Sequence, residues 1–110
     1  MSYNILTIYN FEKEFKKLAK KYPSLKTDVA KLIDELELNP LLGTSIGKNC
    51  HKIRMAITSK GKGKSGGARV ITLVIIASET VYLLSIYDKS DKENITDNEL
   101  LDFISQIPEE

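Results

Sequence analysis

Seven cations and no carboxylate occupy the stretch from Leu38 to Ser78: Lys48, Lys52, Arg54, Lys60, Lys62, Lys64 and Arg69. Side chains of one sign over so long a stretch attract a polyanion, most simply a phosphate backbone. Three of the lysines alternate with glycine or serine in Ser59–Gly67, SKGKGKSGG, and Arg69 follows at once. Glycine lets the main chain take positive φ and approach a ligand closely. Arginine adds a planar, permanently charged fork that fits phosphate oxygens. Taken alone, a lysine-glycine loop is a solvated, mobile hairpin tip. The case for a site therefore depends on the elements that hold it.

Other chemistries fit the residues poorly. Gly63-Lys64-Ser65 looks like the end of a phosphate-binding P-loop, but that motif needs a glycine where Thr58 stands and a helix where a strand follows. With one His, one Cys and no carboxylate in the middle of the chain, a metal centre lacks ligands, and no cofactor is expected. A Ser-His-Asp triad has only His51 to draw on and no nucleophile elbow. His51 borders the basic strand, where it reads as a proton-transfer group or as a surface histidine without a role. Cys50 has no partner for an internal disulfide and reads as a buried or idle thiol.

At 110 residues the chain is expected to form a single domain, 1–110, with one modest core. The net charge of +1 hides a segregation: the basic middle is followed, from Glu79 on, by two lysines against nine carboxylates. Nothing resembles a signal peptide, and no apolar run approaches the ~20 residues that span a bilayer. No membrane partner is expected, and a reducing, cytoplasmic location is.

Periodicity supplies the scaffold. Tyr3–Tyr9 suggests a short first strand. Asn10 is a fair N-cap for a helix with Phe11, Phe15, Leu18, Ala19 and Tyr22 on one stripe, ended by Pro23. Ser24 caps a second, with Leu25, Val29, Leu32, Ile33 and Leu36. A loop marked by Gly43 and Gly47 leads to His51–Thr58, which alternates Lys52, Arg54 and Ala56 against Ile53, Met55 and Ile57. Ala68–Ala77 is apolar on both faces, as a central strand is. Ser78-Glu79-Thr80 turns into Val81–Tyr87, so the last three strands form an antiparallel meander. Thr96 and Glu99 make a capping box for a final helix. The order β-α-α-β-β-β-α predicts an α+β protein, its helical hairpin packed on one face of an antiparallel sheet and a C-terminal helix following.

If the helices cover the face of Ile53, Met55 and Ile57, then Lys52 and Arg54 point from the open face, roughly 6.6 Å apart along the strand. On the last strand Val81, Leu83, Ser85 and Tyr87 are expected to share that face, with Tyr87 placed to stack on a base or bond a phosphate or ribose hydroxyl. An aromatic closing the core edge is the other reading. Arg69 joins the cluster only if residues paired across the hairpin sum to an odd number, such as Thr58 opposite Arg69. The acidic tail, Asp88 to Glu110, is expected away from the basic face.

The run from Lys20 to Ile71, and then VYLLSIYDKSDKENI, closely resembles the RelE/ParE superfamily of toxin–antitoxin toxins. It carries the K-I-R…S-K-G-K-G-K-x-G-G-x-R signature of a HigB-like branch. The resemblance implies a ribosome-dependent mRNA endoribonuclease that cuts in the ribosomal A site, with mRNA, the ribosome and a cognate antitoxin as partners. Carried onto this sequence, it implies catalytic roles for Lys52, Arg54, Arg69 and Tyr87, and RNA or ribosome binding by Lys48, Lys60, Lys62, Lys64 and Lys89. Other branches use a histidine or a C-terminal tyrosine for proton transfer, whereas the last helix here has no tyrosine. The chemistry then expected is metal-free attack by a ribose 2′-hydroxyl on its own 3′-phosphate, with Arg54 and Arg69 clamping the phosphate. Lys52, crowded by cations that favour a neutral amine, is a candidate base. Two rival classes are a ParE-like DNA gyrase inhibitor and a non-catalytic nucleic-acid-binding module.

Overall fold

The computed structural model describes residues 2–108. In chain order its elements are β1 (Asn4–Thr7), α1 (Tyr9–Lys21), α2 (Leu25–Leu38), β2 (Thr44–Gly47), β3 (Cys50–Met55), β4 (Ala68–Ile75), β5 (Thr80–Asp88) and α3 (Asp97–Ser105). The sheet runs β1-β5-β4-β3-β2. The α+β class and the β3-β4-β5 meander match the periodicity. Two edge features go beyond it: β2 adds a fifth strand, and β1 pairs parallel to β5, so the sheet is mixed.

β2 was hidden because its four residues, TSIG, are all exposed and show no apolar alternation. What makes the strand is a tight hairpin. Lys48 and Asn49 both take left-handed backbone, φ 54° and 62°, the conformation of a two-residue turn whose twist matches its strands.

Both long strands in the middle of the sheet are buried throughout. Every residue of β5 and all but the last of β4 are buried. Ile71, Leu83 and Leu84 are fully enclosed, and each such side chain contributes about 1.5–3 kcal/mol. On the helix side, α1 lies along β5 and Leu25, Val29, Leu32 and Leu36 of α2 enter the same core. Helix α1 starts two residues early: Ile8 is the N-cap and Asn10 lies inside the first turn. Asn10 is buried because its amide donates to Leu84 O and to Glu14 Oε1, tying α1 to β5. The capping box of α3 is formed as expected, Thr96 Oγ1 accepting from Glu99 N and Glu99 Oε1 accepting from Thr96 N.

A bulge revises the faces of β5. Ile71 pairs with Ser85, but Thr72 pairs with Leu83, leaving Leu84 as an extra residue. An unpaired residue flips the alternation that follows it. Ser85 and Tyr87 do share a face, whereas Val81 and Leu83 fall on the opposite one and Tyr82 joins Ile71 and Leu73. Strict alternation from Val81 to Tyr87 does not hold.

The supposedly open face is covered as well. The chain after β5 folds back over it: Lys52 Nζ donates to Asn94 Oδ1 at 3.0 Å, and Lys92 Nζ sits 5.7 Å from the centre of the Tyr87 ring. Helix α3 packs against β5. Placing the acidic segment away from the basic face is thus corrected, although Glu109 and Glu110 lie outside the described residues. The reason is the apolar side chains Ile71, Leu73 and Tyr82 on that face, which need a cover of their own.

Candidate active site

Register decides whether the cations converge. Across β3 and β4 the partners are Lys52↔Ile71, Ile53↔Val70 and Arg54↔Arg69. The pairs sum to an odd number, as clustering requires, though Arg54 and not Thr58 faces Arg69. Residues so paired have Cβ atoms about 4.5–5.5 Å apart. One strand further, Arg69 pairs with Tyr87. Lys52, Arg54, Arg69 and Tyr87 therefore occupy adjoining positions on one face, at the end of the sheet that carries the basic loop.

Their exposures differ. Arg54 is exposed and Lys52 half-buried; Arg69 and Tyr87 are each only 6% accessible. Lys52, Arg54 and Lys64 line a groove of about 540 Å³ together with Lys31, Leu32 and Glu35 of α2. Arg69 is not part of that lining. Its Nη1 donates to Lys64 O at 3.0 Å and Ala68 O at 3.1 Å, and its Nη2 donates to Ser65 O at 3.3 Å. A guanidinium has five N–H donors. The Nε–H and one Nη2–H stay available, the pair that grips a phosphate side-on.

Tyr87 has a hydroxyl with no hydrogen-bond partner among the described residues. Burial pushes its phenol above the ordinary value, opposed by the charge of Arg69 and assisted by Glu99 and Glu14. It is a neutral hydrogen-bond donor at physiological pH.

The basic loop is anchored at both ends. After β3 a short 3-10 turn, Thr58–Lys60, ends at Gly61 in left-handed backbone, φ 73°. Asp28 of α2 accepts from Thr58 N at 3.0 Å and from Thr58 Oγ1 at 2.6 Å. Burial alone would raise the Asp28 carboxyl, but these bonds and one from Ser24 hold it below its usual value. At the far end Gly67 presses onto β3, where a Cβ would stand 2.2 Å from Met55 O. That glycine serves the fold and not a ligand. Its carbonyl accepts from Lys89 N at 3.0 Å, which sets Lys89 beside the loop.

Two of the expected RNA-binding lysines are placed otherwise. Lys60 is not held out on a mobile loop: its Nζ is 2.7 Å from Asp88 Oδ1 and its side chain is only 13% accessible. The cause is the buried Asp88 carboxylate, which needs a cation. Lys48 sits at the tip of the β2–β3 hairpin, and about 13 Å of strand separates Cys50, two residues further on, from Arg54. Lys62 and Lys64 are exposed. His51 is on the face of β3 opposite Lys52, outside the cluster. Among the described residues no three His, Cys, Asp or Glu side chains gather as a metal site would need.

The signal for Lys60's role was present in Asp88, the first acid after Tyr87, but only the fold shows that the two meet. Nothing in the pattern marked Asn94 as the partner of Lys52.

The family profile described as the RelE toxin of the RelE/RelB toxin–antitoxin system matches residues 7–107. The chain belongs to the RelE toxin family. The free state of a mutant Escherichia coli RelE toxin superposes with a TM-score of 0.64 at 17% identity, covering 98% of this chain and 100% of that one. The toxin–antitoxin complex RelBE2 of Mycobacterium tuberculosis gives 0.61 at 16% identity over 80% of this chain and 99% of that one. Isolated E. coli RelE gives 0.52 at 18% identity, covering 94% and 99%. At such identities the likeness shows a shared fold, and the roles of individual residues rest on the geometry above.

Proposed function

We propose that this RelE-family toxin is a ribosome-dependent mRNA endoribonuclease that halts translation by cutting in the A site. The observation that carries the reading is the pairing of Arg54 with Arg69, flanked by Lys52 and Tyr87 on one face. Two arginines paired across the ladder, neither in ion-pair reach of a carboxylate among the described residues, call for an anion. A phosphodiester supplies one, and its charge grows as it is attacked.

In this reading the ribose 2′-hydroxyl attacks the adjacent phosphorus, the P–O5′ bond breaks, and a 2′,3′-cyclic phosphate and a 5′-hydroxyl result. Arg54, reached from solvent, and the free edge of Arg69 bind the non-bridging oxygens. Each preorganised donor of this kind is worth about 10²–10³ in rate. Once substrate replaces Asn94 at its amine, Lys52 gives one proton to solvent and then takes the 2′-hydroxyl proton, while a water protonates the departing 5′ oxygen. Tyr87 donates a hydrogen bond to the phosphate or ribose. Lys62, Lys64 and Lys89 hold flanking RNA backbone, and none of these steps uses a metal. An antitoxin encoded beside it is the cognate inhibitor, and the site of action is the cytoplasm, where ribosomes are.

Purified protein incubated with programmed ribosomes, followed by primer extension, tests this. Codon-phased cuts bearing cyclic phosphate ends are expected. Intact mRNA alongside inhibited gyrase supercoiling, or RNA shifted in a gel but never cut, would overturn it.

A further inference from the structure

We propose that Asp88, together with Tyr22, is a positioning residue that tethers the basic loop through Lys60, so that Lys62 and Lys64 meet RNA and Lys60 does not. The inference rests on the nuclease reading and adds a division of labour within SKGKGKSGG.

Asp88 ends β5 opposite Ala68, one residue past Tyr87, and its side chain is fully enclosed. Its carboxylate accepts four hydrogen bonds. Oδ1 takes Lys60 Nζ at 2.7 Å, Ser90 Oγ at 2.7 Å and Ser90 N at 3.0 Å; Oδ2 takes the Tyr22 hydroxyl at 2.6 Å. Burial by itself would favour the protonated acid, but these donors keep Asp88 ionised, well below the usual carboxylate range. The Lys60 amine also lies 5.9 Å from the centre of the Tyr22 ring. So Lys60 is wedged between an anion and an aromatic face, both drawn from elements that precede and follow the loop.

With Lys60 fixed on one side and the Lys64 carbonyl held by Arg69 on the other, the free span shrinks to Gly61, Lys62 and Gly63. Ordering so short a span costs little entropy when RNA arrives. Because Asp88 adjoins Tyr87 in β5, the same carboxylate sets the loop and the site strand in one register. Lysine at position 60 then supplies no phosphate contact, while Lys62 supplies one.

Salt dependence separates the two roles. A lysine that neutralises a phosphate adds about one to the slope of log affinity against log salt. For binding to programmed ribosomes, Lys62→Ala is expected to lower that slope by about one. Lys60→Met is expected to leave it unchanged, while the single-turnover cleavage rate at saturating ribosomes falls about tenfold. Lys60→Arg, which keeps the pair with Asp88, restores most of the rate. If Lys60→Met lowers the slope as Lys62→Ala does, the proposal fails.

A second measurement does not depend on nuclease activity. Limited trypsin digestion after Lys62 and Lys64 is expected to run at least fivefold faster in Asp88→Asn, Lys60→Met and Tyr22→Phe than in the parent, at matched folded fraction. Unchanged digestion in Lys60→Met overturns the tether. Faster digestion from a chain that never cuts mRNA overturns the nuclease reading and leaves the tether standing. Should Asp88→Asn not fold, Lys60→Met and Tyr22→Phe carry the test.

Discussion

Arg54 and Arg69 face each other across the β3–β4 ladder, one exposed and one buried, with no acid between them. Like charges directly opposed in a sheet cost stability of about 0.2–1 kcal/mol. Arg54→Gln is therefore expected to leave thermal stability unchanged or slightly raised while cleavage on programmed ribosomes falls at least 10²-fold. A melting curve and a single-turnover assay on the same preparation check both halves.

Arg69 behaves differently because it also holds the loop. Arg69→Ala leaves the carbonyls of Lys64, Ser65 and Ala68 without that donor, at a cost of about 1–3 kcal/mol. Cleavage is expected to vanish and the urea midpoint to fall. Arg69→Lys should recover part of the stability and little of the rate, since an ammonium lacks the planar fork.

Acid sensitivity follows from Asp88. Its carboxyl is depressed below the ordinary value of 3.8 in the folded protein, so the unfolded chain takes up the proton first. The stabilisation is complete above about pH 4 and is lost as pH falls further. Breaking such a buried pair costs roughly 3–5 kcal/mol. Asp88→Asn should be less stable than the parent at pH 7, and the gap between their urea midpoints should narrow between pH 4 and pH 2.

Gly67 and Gly61 separate two uses of glycine. Gly67→Ala drives a Cβ against Met55 O and Ala56 Cα, and soluble expression or Tm is expected to drop severely. Gly61→Ala meets no atom within 4 Å. It pays only for left-handed backbone, about 1 kcal/mol.

Cys50 is fully buried, and its thiol is pushed up to about 11 by that burial. A thiol-specific reagent at pH 8 is expected to label it only at the rate of unfolding, and denaturant should release the full signal at once.

Sequence periodicity foresaw the helical hairpin, the meander and the capping box because each rests on contacts near in the chain. The odd-sum condition for Arg69 was legible as a condition; the register that met it was not, since the hairpin length depends on how the loop folds. Three features depend on distant contacts and left no local trace. The extra residue Leu84 turns half of β5 over, although the strand is apolar on both faces. Lys60 reads like Lys62 until Asp88 reaches it from β5. The segment carrying Asn94 reads as an acidic tail until the apolar face beneath it is seen.

The pairing of β1 with β5 sets an order of events. Asn4 lies beside Thr80, so the first strand has no strand partner until β5 has formed. Arg69 and Tyr87 likewise lack each other until β5 is complete, and the β1–β5 pairing, far apart in the chain, makes for slow closure. The clustered cations and Tyr87 are thus a product of the finished sheet: until β3, β4 and β5 are all paired, the chain carries the residues of the site without the site.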